Sequence, residues 1–299
     1  MSGWTLVEAG ALPGAGNMAL DLGLLGASVA QQRRDPVVRI YAWNPPALSV
    51  GAKVDLPPEV RERCAAAGVD VVHRATGGGC VLHDGDVTYS VVAPEAGRSV
   101  LEAYRWVARG LIAGLRLLGI EASVAEHPGG PGGRSSRPER SGGRQAADPP
   151  WLVERSVRSG PRGDSRATER PMDCFAVATG ADLEVEGRKI CGSAQVRRRG
   201  WFLQHGSLPI VDIRAKTASL LGDSVDRGST WVQRSRPGTT WNEAASALIG
   251  GFAAAWGVEP RRRRPEGLEW GLIREVPQYR GVPEGPHAAV VLQDPRGMV

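Results

Sequence analysis

The sequence lacks a long hydrophobic run. No stretch of about 18 residues, the length that a membrane-spanning helix needs, is both apolar and uncharged. Residues 1–20 also lack the basic segment followed by an apolar segment that is typical of a secretory signal. These absences predict a cytoplasmic protein with no membrane partner. With 299 residues, of which 41% are hydrophobic, the chain is long enough to fill a large core.

Cysteine is scarce and irregularly spaced. The four cysteines form no CxxC pair, so the sequence favours neither a disulfide framework nor a zinc site. Reduced thiols and no bound metal are therefore predicted. Cys64, Cys80 and Cys191 have apolar or helical neighbours and are interpreted as small buried residues.

Lysine is scarcer still, with three among 37 basic residues. One of them, Lys189, lies on a predicted strand. Because this sequence uses arginine almost wherever a surface cation suffices, a lysine here favours a role that arginine cannot fill, such as giving up a proton when partly desolvated. A solvated lysine at a hairpin is the alternative.

Aromatic residues are nearly absent where the charge is concentrated. Residues 128–171 carry nine arginines against five acidic residues, which accounts for most of the formal net charge of +5. Gly, Pro, Arg and Ser make up 30 of the 44 residues. A segment of this composition cannot bury enough apolar surface to offset the conformational entropy that ordering costs, so a flexible insertion is predicted. An ordered lid around 151–157 is the alternative. No nucleic-acid partner is expected, because Trp151 is the single aromatic residue of this segment.

Hydrophobic periodicity predicts helices and strands in irregular alternation. Two helices begin with a capping box, Ser99 with Glu102 and Thr240 with Glu243. The predicted helices are 17–31, 59–68, 99–118 and about 240–256, and the predicted strands are 37–43, 47–52, one ending at His73, 182–186, 189–196 and 201–211. This pattern favours an α+β catalytic domain at 15–256, interrupted by the insertion 128–171 and followed by a small C-terminal tail, 257–299.

A run of three glycines, Gly77–Gly79, lies between the strand that ends at His73 and a predicted hairpin turn at Asp84–Gly85. Glycines let the backbone approach a ligand and offer N–H groups to a carbonyl or an anion. The stretch has neither a Walker ending nor a dinucleotide fingerprint, so a glycine-rich turn between strands is the commoner explanation of the three glycines taken alone. Arg74 and His83 flank it as possible partners of a carboxylate, phosphate or carbonyl, or as a solvated arginine and a turn histidine.

Cys174 lies where the predicted insertion meets a strand, so its thiol can be exposed. A cation nearby makes a cysteine a better nucleophile, and Lys189 is a candidate if the fold brings the two together. Strand alternation predicts two faces, with Lys189, Cys191 and Ser193 on one and Ile190, Gly192 and Ala194 on the other. A bulge at the glycine would change this assignment.

Several stretches together resemble the lipoate-protein ligase and octanoyltransferase superfamily, which shares its fold with biotin protein ligases. They are "NMALD", "PALSVGAKVD", "HRATGGGCVLHDGDVTYSVV" and "CFAVATGADLEVEGRKICGSAQVRRRGWFLQHGSL", in this order over about residues 15–255. The Cys174-Phe175 pair followed by "EGRKICGSAQVR" and "LQHGS" is most similar to octanoyltransferases of the Gram-positive type. The resemblance implies a biotin/lipoyl-ligase-like catalytic domain with a mixed, mainly antiparallel sheet and packed helices.

The resemblance also implies a function. It implies that Cys174 forms an acyl-thioester with octanoate from octanoyl-acyl carrier protein, that Lys189 lowers the pKa of the thiol, and that the octanoyl group passes to a lysine of a lipoyl domain such as the glycine cleavage H protein. No cofactor is expected. The glycine loop and the "GSA" segment would line an octanoyl tunnel, with Arg74, His83 and His205 near its mouth. The expected substrate-binding residues are Arg74, Thr76, Gly77, Gly78, Gly79, His83, Gly192, Ser193, Ala194, His205 and Gly206.

Three other functions stay open at this point. One is an amidotransferase that takes octanoate from the H protein amide, again through a cysteine. Another is an ATP-dependent lipoate ligase, which would need ATP and magnesium and would not need Cys174. The third, from a different class, is a binding module whose Arg-rich insertion holds an acidic partner.

Overall fold

A computed structural model of the chain describes residues 3–125, 172–175, 182–222, 226, 228–267 and 269. The predicted insertion 128–171 and residues 270–299 of the predicted tail lie outside the described residues. In the described part, helices and strands alternate irregularly. The predicted α+β class is therefore confirmed.

A large mixed sheet lies at the centre of the fold. The strands are, in chain order, β1 (Thr5–Val7), β2 (Val37–Tyr41), β3 (Ala47–Val50), β4 (Asp70–His73), β5 (Cys80–His83), β6 (Asp86–Pro94), β7 (Ser123–Val124), β8 (Leu183–Val185), β9 (Arg188–Arg198), β10 (Trp201–Pro209) and β11 (Arg261–Arg263). Eight of these described strands form the large sheet, in the order β11-β1-β2-β6-β10-β9-β8-β7. β1 pairs in parallel with β2 and β11, and the other neighbours are antiparallel, as predicted.

Helices cover both faces of the large sheet. They are α1 (Gly14–Ala30), α2 (Pro58–Ala66), α3 (Val100–Leu117), α4 (Arg214–Leu221), α5 (Val232–Ser235) and α6 (Trp241–Trp256). Phe202 belongs to the core under α3 and α6, and the next residue, Leu203, belongs to the core under α1. This alternation is that of a strand buried on both faces.

Both predicted capping boxes are present. The Ser99 side chain accepts a hydrogen bond from the N–H of Glu102, and the Thr240 side chain accepts one from the N–H of Glu243. Each glutamate side chain accepts a hydrogen bond from the capping residue in return, so two N–H groups that have no partner within the helix are satisfied. These local interactions fix where α3 and α6 begin.

A second sheet, in the order β4-β3-β5, carries the glycine loop. Its core also contains apolar residues of α2 and α4, together with the buried thiols of Cys64 and Cys80. The loop that contains Gly77–Gly79 joins β4 to β5. The small sheet is thus the support that positions the loop.

A bulge interrupts the start of β9. Leu183 pairs with Cys191 and Glu184 with Lys189, so Ile190 is an extra residue on β9. Ile190 and Cys191 both point into the core under α3 and α6. The alternation predicted for Lys189 and Ile190 is therefore wrong, because the bulge moves each of them to the opposite face.

The large sheet extends beyond the range 15–256 that the sequence predicts for the catalytic domain. β1 precedes this range, β11 follows it, and the two strands pair with each other. Trp4 of the described N-terminal residues packs edge-on against Trp256. In the described part of the chain, no helix has the length and apolar character needed to cross a membrane.

Candidate active site

Cys174 lies in a short segment, 172–175, that runs beside β5. Cys80 N–H donates to the carbonyl of Met172 across 2.6 Å, and Cys174 N–H donates to the carbonyl of Cys80 across 2.9 Å. The segment is thereby attached to the edge of the small sheet. Because β5 begins directly after the glycine loop, this attachment brings Cys174 to the loop.

The sulfur of Cys174 faces two donors. The N–H of Gly79 donates to Sγ across 2.8 Å, and Nη2 of Arg74 lies 3.7 Å from Sγ. Cys174 is half-buried, whereas the other three cysteines are buried. Burial raises the pKa of Cys80 and of Cys191 to about 12, so these two thiols stay protonated at neutral pH.

Gly78 is the loop glycine closest to the sulfur. Its φ is +99°, and a Cβ at this position would lie 3.0 Å from Cys174 Sγ and 2.8 Å from Arg74 Nη2. Such a Cβ would therefore intrude between the cysteine and the arginine. By contrast, a Cβ on Gly77 would meet open space.

Two further glycines permit close backbone contacts. A Cβ on Gly79 would collide with the carbonyl of Met172, and a Cβ on Gly51 would collide with the carbonyl of Gly78. The loop thus packs between the segment 172–175 and the residue after β3. The sequence predicts that the glycines let a ligand approach the loop closely. At Gly51 and Gly79 the group that approaches closely is a backbone carbonyl of the protein itself.

Arg74 holds the loop in place. Its Nη2 donates to the carbonyls of Gly77 and Gly79, each across 2.9 Å, and its Nη1 donates to the carbonyl of Ser49 across 2.9 Å. The side chain is buried. A guanidinium can serve all these acceptors at once because its N–H groups form a rigid fork.

His83 joins this network through Ser49. Its Nε2 shares a 2.9 Å hydrogen bond with Ser49 Oγ, its Nδ1 lies 2.8 Å from Asp86 Oδ2, and its ring stacks on Trp43. Burial raises the pKa of Asp86, but the charge of His83 and hydrogen bonds outweigh it, so the pKa lies below its usual value. His83 is therefore buried and linked to Arg74 through one hydroxyl.

Lys189 contacts the backbone of Cys174. Its Nζ donates to the carbonyl oxygen of Cys174 across 2.7 Å and forms an ion pair with Asp182 Oδ2 at 2.9 Å. Both side chains of this pair are almost completely buried, at 4% and 2% exposure. The predicted proximity of Lys189 and Cys174 is present, and the hydrogen bond runs to the carbonyl.

The bulge in β9 produces this placement. It puts Lys189 on the same face as Gly192, where a Cβ on Gly192 would lie 3.1 Å from Lys189 Cε. Gly192 therefore leaves the room in which the lysine side chain lies.

Ser193 and Gly206 face the opposite side of the sheet. Ser193 Oγ shares a 2.7 Å hydrogen bond with Tyr89 OH, and Gln204 donates to the same phenol oxygen across 3.0 Å. A Cβ on Gly206 would collide with the Tyr89 ring. These two predicted substrate-binding residues thus contact the core under α3 and α6.

His205 pairs with Ala194 across the strands and faces α1. Its Nε2 shares a 2.7 Å hydrogen bond with Thr76 Oγ1, and its Nδ1 lies 3.2 Å from Asp21 Oδ2. Burial lowers the pKa of His205, although Asp21 opposes this effect. Burial also raises the pKa of Asp21, but the Arg39 guanidinium and His205 outweigh it and hold that pKa below its usual value.

The structure therefore brings Arg74, Gly78, Gly79 and Lys189 to Cys174. Gly192 lies beside Lys189. Thr76 and His205 form a neighbouring buried pair. The three residues expected near a tunnel mouth, Arg74, His83 and His205, are between 5% and 6% exposed.

A groove beside Cys174 was not anticipated from the sequence. Phe175 and Trp231 are its aromatic residues, and the guanidinium of Arg214 lies 4.6 Å from the centre of the Trp231 ring. The remaining lining residues are Asp173, Pro209, Val211, Asp212, Ile213, Thr217, Ser229 and Thr230. They come from segments without a recognisable motif.

Sequence reasoning also missed three residues that support the site. Ser49 accepts from Arg74, Gly51 makes room for the loop, and Asp182 pairs with Lys189. Asp182 carried a usable signal, because a buried lysine needs an acidic partner. Asp182 begins the predicted strand 182–186, which is the neighbour in sequence of the predicted strand that contains Lys189. Ser49 and Gly51 carried no such signal in the sequence, because their contacts with Arg74 and Gly78 form only when the strands of the small sheet are paired. Among the described residues, no three His, Cys, Asp or Glu side chains are grouped to hold a metal ion.

Comparisons with known proteins give related sequences and folds. Residues 13–252 match the model of the lipoyl protein ligase A/B catalytic domain. The chain is 33% identical to the octanoyltransferase LipM of Symbiobacterium thermophilum, over 85% of this chain and 87% of that protein. It is 36% identical to the octanoyltransferase LipM of Geobacillus kaustophilus, over 69% of this chain and 64% of that protein.

Solved structures share the fold at lower identity. A lipoate-protein ligase A bound with ATP has a TM-score of 0.65 at 19% identity, over 91% of this chain and 93% of that chain. The bipartite lipoate protein ligase of Thermoplasma acidophilum has a TM-score of 0.61 at 19% identity, over 92% of this chain and 91% of that chain. These likenesses concern the fold alone.

Proposed function

The chain belongs to the lipoyl protein ligase A/B catalytic-domain family, and on that basis we propose that it is an octanoyltransferase with Cys174 as its nucleophile. The proposed donor is octanoyl-acyl carrier protein, and the proposed acceptor is a lysine of a lipoyl domain such as the glycine cleavage H protein. The octanoyltransferase relatives support transfer of an octanoyl group.

The proposed reaction has two steps. The Cys174 thiolate attacks the octanoyl carbonyl, the carrier thiolate leaves and takes up a proton, and the octanoyl group stays on Sγ as a new thioester. The neutral amine of the acceptor lysine then attacks this thioester, the C–S bond breaks, and the amine proton returns to the sulfur as the amide forms. A thioester donor is already activated, so neither ATP nor a metal takes part.

One observation carries this proposal: the 2.8 Å hydrogen bond from the Gly79 N–H to Cys174 Sγ. A donor aimed at sulfur stabilises the thiolate more than the neutral thiol. Backbone N–H groups of the same loop are suited to hold the oxyanion that develops on the octanoyl carbonyl. Lys189, whose ammonium bonds the Cys174 carbonyl, stays the second predicted catalytic residue.

Intact-mass spectrometry tests the nucleophile. The protein is incubated with octanoyl-acyl carrier protein without ATP, beside the variants Cys174→Ala and Cys64→Ala. We expect an octanoyl adduct on the wild type and on Cys64→Ala, because Cys64 is buried in α2, and no adduct on Cys174→Ala. The adduct should be released by hydroxylamine. Adduct on the Cys174→Ala variant would contradict the assignment.

The same assay separates the alternative enzymes. No adduct without ATP, but octanoylation with ATP and free octanoate or lipoate that survives in Cys174→Ala, would identify a ligase. An adduct that forms only from octanoylated H protein would identify the amidotransferase. Each outcome replaces the proposed donor while leaving the family membership unchanged.

Deletion of residues 128–171 separates the transferase from an Arg-rich binding module. This segment carries nine arginines against five acidic residues, and acyl carrier proteins are acidic. We expect the deletion variant to keep acylating Cys174, with a rate that depends less on ionic strength than that of the wild type. Loss of partner binding with no acyl transfer in either protein would favour the binding module.

A further inference from the structure

The groove beside Cys174 borders on both predicted catalytic residues. Phe175, which lines the groove, follows Cys174 in the sequence, and the ammonium of Lys189 lies 5.3 Å from the centre of the Phe175 ring. Ser229 and Thr230 also line the groove and run beside Lys189. The Thr230 N–H donates to the carbonyl of Lys189 across 2.8 Å. One end of the groove therefore lies next to the proposed nucleophile.

The chain that follows Ser229 leads from this buried end to the surface. Ser229 and Thr230 are 4% and 3% exposed. Trp231 is half-buried, and Arg234 is exposed. The guanidinium of Arg234 lies 5.8 Å from the centre of the Trp231 ring. The groove thus has a buried end at the cysteine and a surface end marked by an aromatic ring and a cation.

Two hydroxyl groups of the groove lining are available to a ligand. Within the described ranges, neither the Ser229 hydroxyl nor the Thr230 hydroxyl makes a hydrogen bond, whereas the Thr217 hydroxyl donates to the carbonyl of Ile213. Polar side chains in largely buried positions usually have hydrogen-bond partners. The lining therefore suits an occupant that carries polar groups of its own.

The charges around the groove favour an anion at the surface end. Nε and Nη2 of Arg214 donate to the two carboxylate oxygens of Asp212, each across 2.9 Å, so these two charges are paired. Asp173 lies at the other end, next to Cys174. Arg234 has no acidic partner among the residues that the structure describes. It is therefore the cation at this rim that is free to bind an incoming anion, such as a phosphate.

A hydrocarbon chain does not match this lining. An acyl chain has no groups that could bond to the hydroxyls of Ser229 and Thr230 or to the Arg234 guanidinium, and covering polar groups without bonding them costs free energy. The phosphopantetheine arm of an acyl carrier protein does match it. This arm has the thioester at one end, amide groups and methyl groups along its length, and a phosphate at the other end.

We propose that the groove holds the phosphopantetheine arm of the acyl donor, with the thioester at Cys174, the amide groups beside Ser229 and Thr230, and the phosphate at Arg234. Phe175 and Trp231 are the apolar walls for the carbon atoms of the arm. This inference rests on the proposed function, which names an acyl carrier protein as the donor.

Binding of a donor analogue that cannot be transferred tests the inference. S-octyl-phosphopantetheine has a thioether in place of the thioester, and S-octyl-pantetheine also lacks the phosphate. Isothermal titration calorimetry gives the dissociation constants of both probes for the wild type, Arg234→Gln, Arg236→Gln and Thr230→Val. Arg236 is the matched control, because it is also exposed but its guanidinium does not lie over the Trp231 ring.

We expect the wild type to bind the phosphorylated probe about fivefold more tightly than the other probe, as an exposed ion pair allows. Arg234→Gln should lose this preference, and Arg236→Gln should keep it. Thr230→Val should bind both probes about twofold to tenfold more weakly, since a hydrogen bond to the arm is lost. Its thermal unfolding transition should not fall, because the hydroxyl has no partner in the described protein.

Three results would overturn the inference: no binding of either probe, equal affinity of the wild type for both probes, or the same loss of preference in Arg236→Gln as in Arg234→Gln. Tighter binding of both probes to Thr230→Val would place the octyl chain in the groove and would overturn it as well. Calorimetry needs no acyl transfer. Phosphate-dependent binding without an octanoyl adduct would therefore reject the proposed function and keep the inference, whereas an adduct without this dependence would do the reverse.

Discussion

The N–H of Gly79 donates a hydrogen bond to Cys174 Sγ across 2.8 Å, although the two residues are 95 positions apart in the sequence. The contact exists because the segment 172–175 is attached to β5, whose first residue follows Gly79. Nucleophile and loop are therefore positioned by the same small sheet. Substitutions in the glycine loop should therefore affect the reactivity of Cys174 directly.

Gly78→Ala should impair acylation more than Gly77→Ala. A Cβ at Gly78 would lie 3.0 Å from Cys174 Sγ and 2.8 Å from Arg74 Nη2, and φ is +99°, a region that L-residues rarely adopt. A Cβ at Gly77 would meet open space. We expect a loss of about tenfold or more in the rate of octanoyl adduct formation for Gly78→Ala, because the added methyl group would displace the sulfur or the guanidinium from their observed positions. Equal rates in the two variants would contradict the close approach at Gly78.

Asp182→Asn should destabilise the protein strongly. It removes the carboxylate of a buried ion pair and leaves the charge of Lys189 buried without this acidic partner. Such a change costs about 3–5 kcal/mol in the free energy of unfolding, measured by urea titration.

Asp84→Asn is the matched control. Asp84 also pairs with a lysine, Lys216, at 2.7 Å, but these side chains are 35% and 40% exposed. The expected cost is at most about 1 kcal/mol. An equal loss in the free energy of unfolding in both variants would contradict the larger cost expected for the buried Lys189–Asp182 pair.

His205 should make stability depend on pH. Burial lowers the pKa of His205 in the folded protein below its ordinary value of 6.5. Between the lowered pKa and 6.5, the unfolded chain binds a proton that the folded protein does not, so stability rises with pH over this window and is lost as the pH falls.

His205→Gln tests this dependence. The slope of the free energy of unfolding against pH below about 6.5 should decrease by up to about 1.4 kcal/mol per pH unit. Above pH 7 the free energy of unfolding should vary with pH in the same way in the wild type and in the variant, and this range serves as the internal control. An unchanged slope below 6.5 would mean that His205 binds protons equally in the folded and unfolded states.

The helix contact between α3 and α6 offers a test of packing. A Cβ on Gly251 would collide with the backbone of Gly110 and Gly114, whereas a Cβ on Gly250 would lie 3.1 Å from the exposed end of Leu117. Gly251→Ala should lower the free energy of unfolding by about 1–3 kcal/mol or more. Gly250→Ala should raise it by up to about 1 kcal/mol, since alanine favours a helix. Similar stabilities in urea would contradict the close helix approach.

Elements that depend on neighbouring residues could be predicted from the sequence. The capping residues Ser99 and Thr240 set the starts of two helices, because their partners lie three positions away. The start of α1 was predicted less closely, at 17 rather than at Gly14, since α1 has no side-chain cap. The face of Lys189 was predicted wrongly, because nothing in the local pattern marks a bulge at Ile190.

The sequence by itself determined the kind of chemistry available: one cysteine in a place where its thiol can be reached, one scarce lysine and a run of glycines, in the order of a known family. The tertiary structure decided which atoms meet. It directed Lys189 to the carbonyl of Cys174 and Arg74 to its sulfur, and it supplied Asp182 as the buried partner of the lysine. The physical reason is range: capping and alternation act over a few neighbouring residues, whereas a thiolate is stabilised by donors that only the packed sheets bring within a few ångströms.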